Sequence, residues 1–363
     1  MPSNINATFE TLHEIVKTAH MNLARGDWDY LVGATETETT MRRNRLALDK
    51  VGFRPRVLRD VAGVDPSATL LGRKLRLPLL LAPIGSVENF TPGGGATAAQ
   101  AADAFGVAHM LSSVCNPGME AVAQAANNLR IFQLYVRGDR DWVDETARRA
   151  IQHGYSAFCL TVDTAWYSRR ERDIIKRFVK PWRQGADATD FQQRLNWDDV
   201  RHFKETHDIP LILKGIATAE DAQQAVEMGV EWVYVSNHGG RQLDHGVGGL
   251  EVLREVAAAV RGKAGIMYDG AIMRGTDVVK AIATGADCVG IGRLQCLGLA
   301  AGGQAGLERA LELLEDEVKI CLGLLGVRGW EELDATYLRE ADVVTTPHVL
   351  SAFPHLHLDE SPY

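Results

Sequence analysis

Short runs of apolar residues recur between residues 77 and 291, and a longer amphipathic segment follows each run. The runs are rich in β-branched and aromatic residues and lack the period of a helix, so they predict buried β-strands. The eight predicted strands cover residues 77–83, 109–113, 131–136, 157–163, 211–214, 232–235, 265–268 and 288–291. Helices are predicted at residues 95–105, 119–127, 142–153, 198–205, 219–228, 250–260 and 276–284, and from residue 299 onward to the end.

The repeated order of strand and helix indicates a parallel sheet that helices cover on the outside. Eight repeats favour a (β/α)8 TIM barrel over an open Rossmann sheet. No G-x-G-x-x-G motif follows a strand, since Gly93–Gly95 lie well past the first one. Helical periodicity within residues 8–50 and irregular sequence after it predict an N-terminal helical extension over residues 1–76. We expect residues 77–363 to form the barrel and the chain to be a single domain.

Composition excludes several classes of protein. The chain carries 39 Lys and Arg against 47 Asp and Glu, a net charge of −8, and lacks the basic surface that nucleic acid requires. No apolar stretch is long enough to span a membrane. The five cysteines are scattered and have no Cys-x-x-Cys spacing, so neither disulfides nor a metal site is expected. With no signal-peptide character and no peroxisomal address at Ser361–Tyr363, the expected location is cytoplasmic.

The sixth predicted strand ends in a polar segment, Ser236–Asp244, with the sequence SNHGGRQLD. Its two adjacent glycines, Gly239 and Gly240, let the backbone approach a ligand closely. His238 could then accept a proton and Arg241 could bind an anion. The alternative is an ordinary polar turn.

Polar residues and glycines also collect at the other strand ends, where TIM barrels place their active sites. The ends of the last two strands often bind phosphate, and glycines there with Arg274 and Arg293 supply suitable donors. The residues at the strand ends are Pro83, Ile84, Gly85, Ser112, Gln133, Tyr135, Thr161, Asp163, Lys214, Ser236, His238, Asp269, Gly270, Gly292 and Arg293.

Three of the charged residues have more than one interpretation. Lys214 fits a lysine extending to solvent at the barrel rim, a Schiff-base lysine or a fixed charge beside a cofactor. Asp163 fits a helix cap or a carboxylate that orients His238. Arg170 lies in the charged run of residues 168–172, and this local sequence alone indicates a solvated side chain.

The segment Ser236–Asp244 resembles the signature of the FMN-dependent 2-hydroxy acid oxidases and dehydrogenases. Further matches to that family follow in order along the chain, at residues 53–56, 132–135, 160–164, 213–215, 274–278 and 291–293. The resemblance covers nearly the whole chain. It implies a TIM barrel that holds FMN and oxidises a small 2-hydroxy acid to a 2-oxo acid, with oxygen or another acceptor taking the electrons. It also implies a homo-oligomer, by resemblance a tetramer.

The resemblance also implies roles for individual residues. His238 matches the active-site base, Asp163 its orienting partner and Tyr135 a phenol that orients the substrate. The residues implied to bind substrate are Tyr30, Tyr135, Arg170, His238 and Arg241, with the two arginines gripping the carboxylate. The residues implied to bind FMN are Pro83, Ile84, Gly85, Ser112, Gln133, Tyr135, Thr161, Lys214, Ser236, Asp269, Gly270, Ala271, Arg274, Gly292 and Arg293.

The sequence departs from the family pattern at a few positions. Met273 stands where many relatives have arginine, which leaves phosphate binding to Arg274 or Arg293. Val114 replaces a tryptophan that lines the substrate pocket in some members, so the side chain of the substrate is not assigned. Glycine at position 85 favours a dehydrogenase or a monooxygenase over an oxidase.

Two rival functions keep the barrel. One is an FMN-dependent isomerase of the isopentenyl diphosphate type, and the other is a barrel without catalysis. The two arginines Arg170 and Arg241 beside His238 suit a carboxylate and favour 2-hydroxy acid oxidation over the isomerase. Only the departure at Met273 supports a barrel without catalysis.

Overall fold

Helices and short strands precede the barrel in the computed structural model, which describes residues 9–178, 190–260 and 262–356. These elements are α1 Leu12–Asn22, α2 Arg25–Val32, α3 Thr39–Asp49, β1 Val51–Phe53, β2 Ala68–Leu70 and β3 Arg73–Leu75. Helix α1 begins with a capping box, in which the Thr11 hydroxyl accepts the Glu14 N–H and the Glu14 carboxylate accepts the Thr11 N–H. The N-terminal helical extension predicted from the sequence is confirmed.

Eight parallel strands then close into a barrel. They are β4 Leu79–Leu81, β5 Ala108–Ser112, β6 Arg130–Leu134, β7 Ala157–Thr161, β8 Leu211–Ile216, β9 Trp232–Val235, β10 Gly265–Asp269 and β11 Cys288–Ile291. Each strand pairs with its neighbours in sequence, and β11 pairs with β4 to close the barrel. The predicted TIM barrel is confirmed, and the strand bounds differ from the predicted ones by a few residues at most.

Helices follow the strands and cover the barrel. They are α4 Gly94–Phe105, α5 Met119–Ala125, α6 Arg140–Gln152, α7 Glu171–Ile175, α8 Asp190–Arg194, α9 Trp197–Thr206, α10 Ala219–Glu227, α11 Gly249–Val260, α12 Gly275–Thr284 and α13 Arg293–Leu325. No helix in the described ranges is long and apolar enough to cross a membrane.

The prediction that helices continue from residue 299 to the end is wrong. Helix α13 stops at Gly326, whose φ of 81° is left-handed and closes the helix. Two single 3-10 turns follow, and then strand β12 Leu338–Glu340 pairs antiparallel with β1. Residues 179–189 lie outside the described part of the chain. So do residues 357–363, which include the segment Ser361–Tyr363 that was used to predict the location.

The inward face of the barrel is apolar along most of its height. Side chains at alternate strand positions, including Met110, Ile131, Cys159, Ile212, Tyr234 and Met267, form a buried cluster of their own. Because successive side chains in a strand point to opposite faces, the residue two positions further on also points inward. The polar residues at the strand ends occupy those positions.

Candidate active site

Six inward positions at the carboxyl ends of the strands are polar and buried. They each follow one of the apolar interior residues by two places, and they are Ser112, Gln133, Thr161, Lys214, Ser236 and Asp269. The strand period therefore brings them into one ring above the apolar core.

Lys214 is buried, with 2% of its surface exposed, so it does not extend to solvent at the rim. Its ammonium donates to Ser236 Oγ at 2.9 Å, and that hydroxyl donates to Asp269 at 2.6 Å. The ammonium and the Asp269 carboxylate are 3.7 Å apart. Lys214 is thus a fixed positive charge at the floor of the site, held in place by a buried carboxylate and a hydroxyl.

Gln133 brings a buried acceptor to the same floor. Its Nε2 donates to Thr161 Oγ1 at 2.8 Å, whereas its Oε1 is buried and has no hydrogen-bond partner among the described residues. Buried polar atoms are normally paired, because leaving one unpaired costs about 1–3 kcal/mol. This oxygen is suited to accept an N–H from a bound molecule.

His238 lies between a carboxylate and a phenol. Its Nδ1 is 3.3 Å from both oxygens of Asp163, and its Nε2 is 3.1 Å from the Tyr135 hydroxyl. Burial alone would raise the pKa of Asp163, but the nearby imidazole and Lys214 lower it below its ordinary value, so Asp163 is ionised. An ionised carboxylate only accepts, so Nδ1 carries the proton. Nε2 is left as an acceptor that faces Tyr135.

The protonation states of this trio suit a base. Burial lowers the pKa of His238, with Asp163 opposing the shift, so the imidazole is neutral at pH 7. Burial and then Asp163 raise the pKa of Tyr135, so its hydroxyl stays protonated and donates to Nε2. A neutral imidazole with a fixed tautomer is ready to take up a proton.

An unusual backbone holds His238 in place. His238, Gly239 and Gly240 have φ values of 60°, 64° and 78°, three left-handed residues in succession. A Cβ at Gly240 would lie 2.4 Å from Met41 N, so glycine is required there. The His238 N–H donates to Ser236 Oγ at 3.1 Å.

The segment Ser236–Asp244 is also held in place at its last residue. Asp244 accepts the N–H groups of Thr37 and Thr40, each at 2.9 Å, at the start of α3. The segment is therefore a fixed part of the site rather than an ordinary polar turn.

Two arginines meet at the C-terminal end of α2. Arg241 donates to the carbonyls of Tyr30 and Gly33 at 2.6 and 3.0 Å, and Arg293 donates to those of Leu31 and Gly33 at 3.1 and 2.9 Å. Burial, followed by repulsion from Arg241, lowers the pKa of Arg293 to about 9. Two desolvated cations that repel each other make this corner a favourable place for an anion.

Arg170 and Tyr30 complete the wall near Arg241. Arg170 Nε donates to Ser168 Oγ at 3.3 Å, and its guanidinium lies 5.2 Å from the ring centre of Tyr167. The Tyr30 hydroxyl donates to the Gly85 carbonyl at 3.0 Å, and the Arg241 guanidinium lies 4.8 Å from the Tyr30 ring centre. These contacts connect α2 to the end of β4.

A buried ion pair that sequence reasoning missed supports the backbone of the loop after β10. Arg45 on α3 donates to the two oxygens of Asp277 at 2.9 and 2.8 Å and to the Ala271 carbonyl at 3.3 Å. Asp277 also accepts the N–H groups of Met273 and Arg274, each at 3.0 Å. Residues separated by more than 200 positions form this pair, and no local motif marks it.

Arg274 is not brought into the site. Its Nε donates to Glu317 at 3.1 Å and its guanidinium lies 5.8 Å from the ring centre of Phe353. Of the two arginines predicted to bind phosphate, only Arg293 lines the cavity.

A cavity that is partly open to solvent lies at the carboxyl ends of the strands. The predicted residues that line it are Tyr30, Pro83, Ile84, Gly85, Tyr135, Arg170, Lys214, His238, Arg241, Asp269, Gly270, Ala271, Gly292 and Arg293. Four other predicted residues are buried beside them, namely Ser112, Gln133, Thr161 and Ser236. Asp163 is partly buried next to His238. Lining residues that the sequence did not single out as ligands include Phe90, Arg137, Gln192, Gln242 and Met273. No cluster of metal-ligating side chains occurs among the described residues.

Known proteins share both the sequence and this fold. The family model of the FMN-dependent dehydrogenases matches residues 19–340. Glycolate oxidase 3 of Arabidopsis thaliana is 37% identical over 93% of this chain and 98% of its own length. L-lactate oxidase of Nostoc sp. is 38% identical over 90% and 97%. A crystal structure of mandelate oxidase superposes with a TM-score of 0.86 and 36% identity, covering 93% of this chain and all of the other.

Three findings agree on one assignment: the family model matches most of the chain, the relatives have a similar length, and the barrel is shared. The predicted family and cofactor are confirmed. The chain belongs to the family of FMN-dependent dehydrogenases and is an FMN-dependent oxidoreductase.

Proposed function

We propose that this protein oxidises a 2-hydroxy acid to the 2-oxo acid, with His238 as the base. The observation that carries the proposal is a neutral imidazole lining the same cavity as the guanidinium groups of Arg170 and Arg241. A base beside an anion-binding pair fits a substrate whose CH–OH group is attached to a carboxylate. The relatives, which are oxidases of glycolate, lactate and mandelate, support this interpretation.

The residues of the site fit FMN. The unpaired Oε1 of Gln133 is suited to accept an N–H of the isoalloxazine ring, and Lys214 supplies a positive charge at the same floor. Arg293 and the backbone around Gly270 and Gly292 are suited to hold the phosphate. When bound, FMN supplies the two-electron acceptor for the reaction.

Arg170 and Arg241 would hold the substrate carboxylate. Two guanidinium groups offer paired donors that match the two carboxylate oxygens, which limits how the substrate can turn. The hydroxyl groups of Tyr30 and Tyr135, in the same cavity, would orient the rest of the substrate. Fixing the substrate in this way places its CH–OH carbon beside His238.

His238 would take up a proton from the CH–OH group at Nε2. Overall the CH–OH group loses two electrons and two protons, one proton from carbon and one from oxygen, and becomes a carbonyl. His238 takes up one proton, and the other would leave with the two electrons to FMN. The imidazolium that forms is stabilised by the Asp163 carboxylate 3.3 Å from Nδ1. Asp163 thus acts through His238 and keeps the tautomer in which Nε2 carries no proton and can accept one.

The pH dependence of kcat/KM should report this base. Because burial lowers the pKa of His238 below its ordinary value of 6.5, the neutral form persists at neutral pH and below it. We expect kcat/KM to be constant above pH 6.5 and to fall only at lower pH, as the imidazole becomes protonated.

Asp163→Asn provides the matched test of this assignment, since Asp163 raises the pKa of His238. The acid limb of the profile should move to lower pH in that variant, and kcat should fall. An acid limb that does not move would contradict the assignment of this limb to His238.

Product analysis of the purified FMN-loaded protein tests the overall reaction. In air, or with a dye as acceptor under nitrogen, one 2-oxo acid should appear for each 2-hydroxy acid consumed. Hydrogen peroxide in equal amount would identify oxygen as the acceptor, which the oxidase relatives favour, whereas turnover with the dye alone would support the dehydrogenase that Gly85 suggests. If no acceptor yields a 2-oxo acid while an isopentenyl diphosphate is isomerised, the rival function is correct.

Cytoplasmic location and assembly into a homo-tetramer remain predictions. All five cysteines are buried and unpaired, which supports a reducing compartment. Cell fractionation and sedimentation of the purified protein would measure the two properties directly.

A further inference from the structure

Tyr234 carries a hydroxyl group into the apolar interior of the barrel. It lies on β9 with no exposed surface, in the cluster that contains Ile212, Met267 and Cys288. A leucine or methionine would fill such a volume without a polar atom, whereas burying an unpaired hydroxyl costs about 1–3 kcal/mol. The proposed reaction makes no use of this hydroxyl, so its position needs another explanation.

The Tyr234 hydroxyl lies against residues that line the cavity. A Cβ at Gly290 would be 2.2 Å from the Tyr234 oxygen, and both Gly290 and Asp269 line the cavity. The same Cβ would be 3.3 Å from the Asp269 Cβ and 3.4 Å from the Ala82 Cβ. These four residues therefore meet at one point, and glycine at position 290 leaves the room that the phenol occupies.

The Asp269 carboxylate is the acceptor available to this hydroxyl. Burial, followed by the charge of Asp269 and hydrogen bonding to it, raises the pKa of Tyr234 well above its ordinary value. The phenol therefore keeps its proton and can donate. None of the other described residues offers the hydroxyl a partner.

Asp269 is also the counterion of the charge that faces the flavin in the proposed function. It accepts from Ser236 Oγ at 2.6 Å and lies 3.7 Å from the Lys214 ammonium. Tyr234 is the register partner of Lys214 between β8 and β9, and the ammonium is 5.2 Å from the centre of its ring. Tyr234 thus lies beside both members of the ion pair, with its ring near the cation and its hydroxyl near the anion.

We propose that Tyr234 is a positioning residue that keeps the charge of Lys214 available to the flavin ring. Its hydroxyl donates to Asp269 and offsets part of the carboxylate charge, so the carboxylate attracts the ammonium less. Without that hydroxyl, Asp269 would neutralise more of the Lys214 charge, and negative charge on the flavin ring would be less stabilised. This inference rests on the proposed placement of Lys214 beside the ring.

The test is the affinity of the FMN-loaded protein for sulfite, which requires no substrate turnover. Sulfite adds through its sulfur to N5 of the oxidised flavin with no other reactant and leaves a negative charge on the ring, so its Kd measures the positive charge nearby. Tyr234→Phe keeps the aromatic ring and removes only the oxygen. We expect its sulfite Kd to rise about 3- to 10-fold, the contribution of one hydrogen bond, and its flavin midpoint potential to become more negative.

Tyr155→Phe is the matched control, because it removes a buried hydroxyl that donates to the Met119 carbonyl at 2.9 Å, outside the cavity. Its sulfite Kd should equal that of the wild type, and the flavin absorption of each variant shows that FMN is bound. Equal Kd values for the wild type and Tyr234→Phe, or the same rise in Tyr155→Phe, would overturn this inference and leave the placement of Lys214 standing. A wild type that holds FMN and does not bind sulfite would overturn both, and product analysis tests 2-hydroxy acid oxidation independently of either result.

Discussion

Replacing His238 with alanine should lower the rate of flavin reduction by about 10²- to 10⁴-fold while FMN stays bound. In the proposed reaction the neutral imidazole is the base, and its Nε2 faces Tyr135 at 3.1 Å. The FMN-binding positions proposed for Lys214 and Arg293 are untouched by the change. Stopped-flow mixing with substrate under nitrogen measures the rate, and the absorption spectrum measures the bound flavin.

A second variant and a control separate chemistry from folding. His238 has a left-handed φ of 60°, and asparagine tolerates that backbone better than alanine does, so His238→Asn should lose the rate with less effect on stability. His20→Ala removes an imidazole from an exposed position on α1 and should reduce at the normal rate. Reduction at a normal rate in both His238 variants would refute the role of His238.

Replacing Asp277 with alanine should reduce the free energy of unfolding by about 3–5 kcal/mol, the usual cost of breaking a buried ion pair. Asp277 is 1% exposed, and the change removes both oxygens that accept from the buried Arg45 guanidinium, leaving the more exposed Asp49 as its partner carboxylate. It also removes the acceptor for the N–H groups of Met273 and Arg274, so the loop after β10 should loosen. Denaturant unfolding of the wild type and the variant measures the loss, and FMN titration measures the effect on the loop.

Two comparisons make this result specific. The double replacement of Arg45→Met with Asp277→Leu should recover much of the stability, because it leaves no unpaired charge in the interior. Arg148→Ala breaks the exposed pair with Glu145 and should change stability little. A loss in Asp277→Ala no larger than that of Arg148→Ala would show that the buried pair does not hold this loop.

Most of the barrel and much of the site could be predicted from the sequence because both follow from local patterns. The strand period of two places Gln133, Lys214 and Ser236 inward once the apolar residues before them are known to be buried. The glycines after His238 permit a turn that other residues would strain.

The remaining features depend on contacts between distant residues. Arg274 was predicted in the phosphate region, but Glu317 on α13 pairs with it outside the cavity. Arg45 reaches Asp277 from a helix in the N-terminal extension. Arg137 lies among ordinary polar residues after β6, and only the closed barrel places it on the cavity wall. Neither local pattern nor motif could identify these partners.

The most direct test of the proposed reaction is anaerobic mixing of the FMN-loaded protein with 2-hydroxy acids that carry small, aromatic and carboxylate side chains. The account predicts that at least one of them bleaches the flavin band near ~450 nm and is converted to its 2-oxo acid. A protein whose bound flavin is bleached by none of these acids would contradict the account, and the barrel and its cofactor would need another reaction.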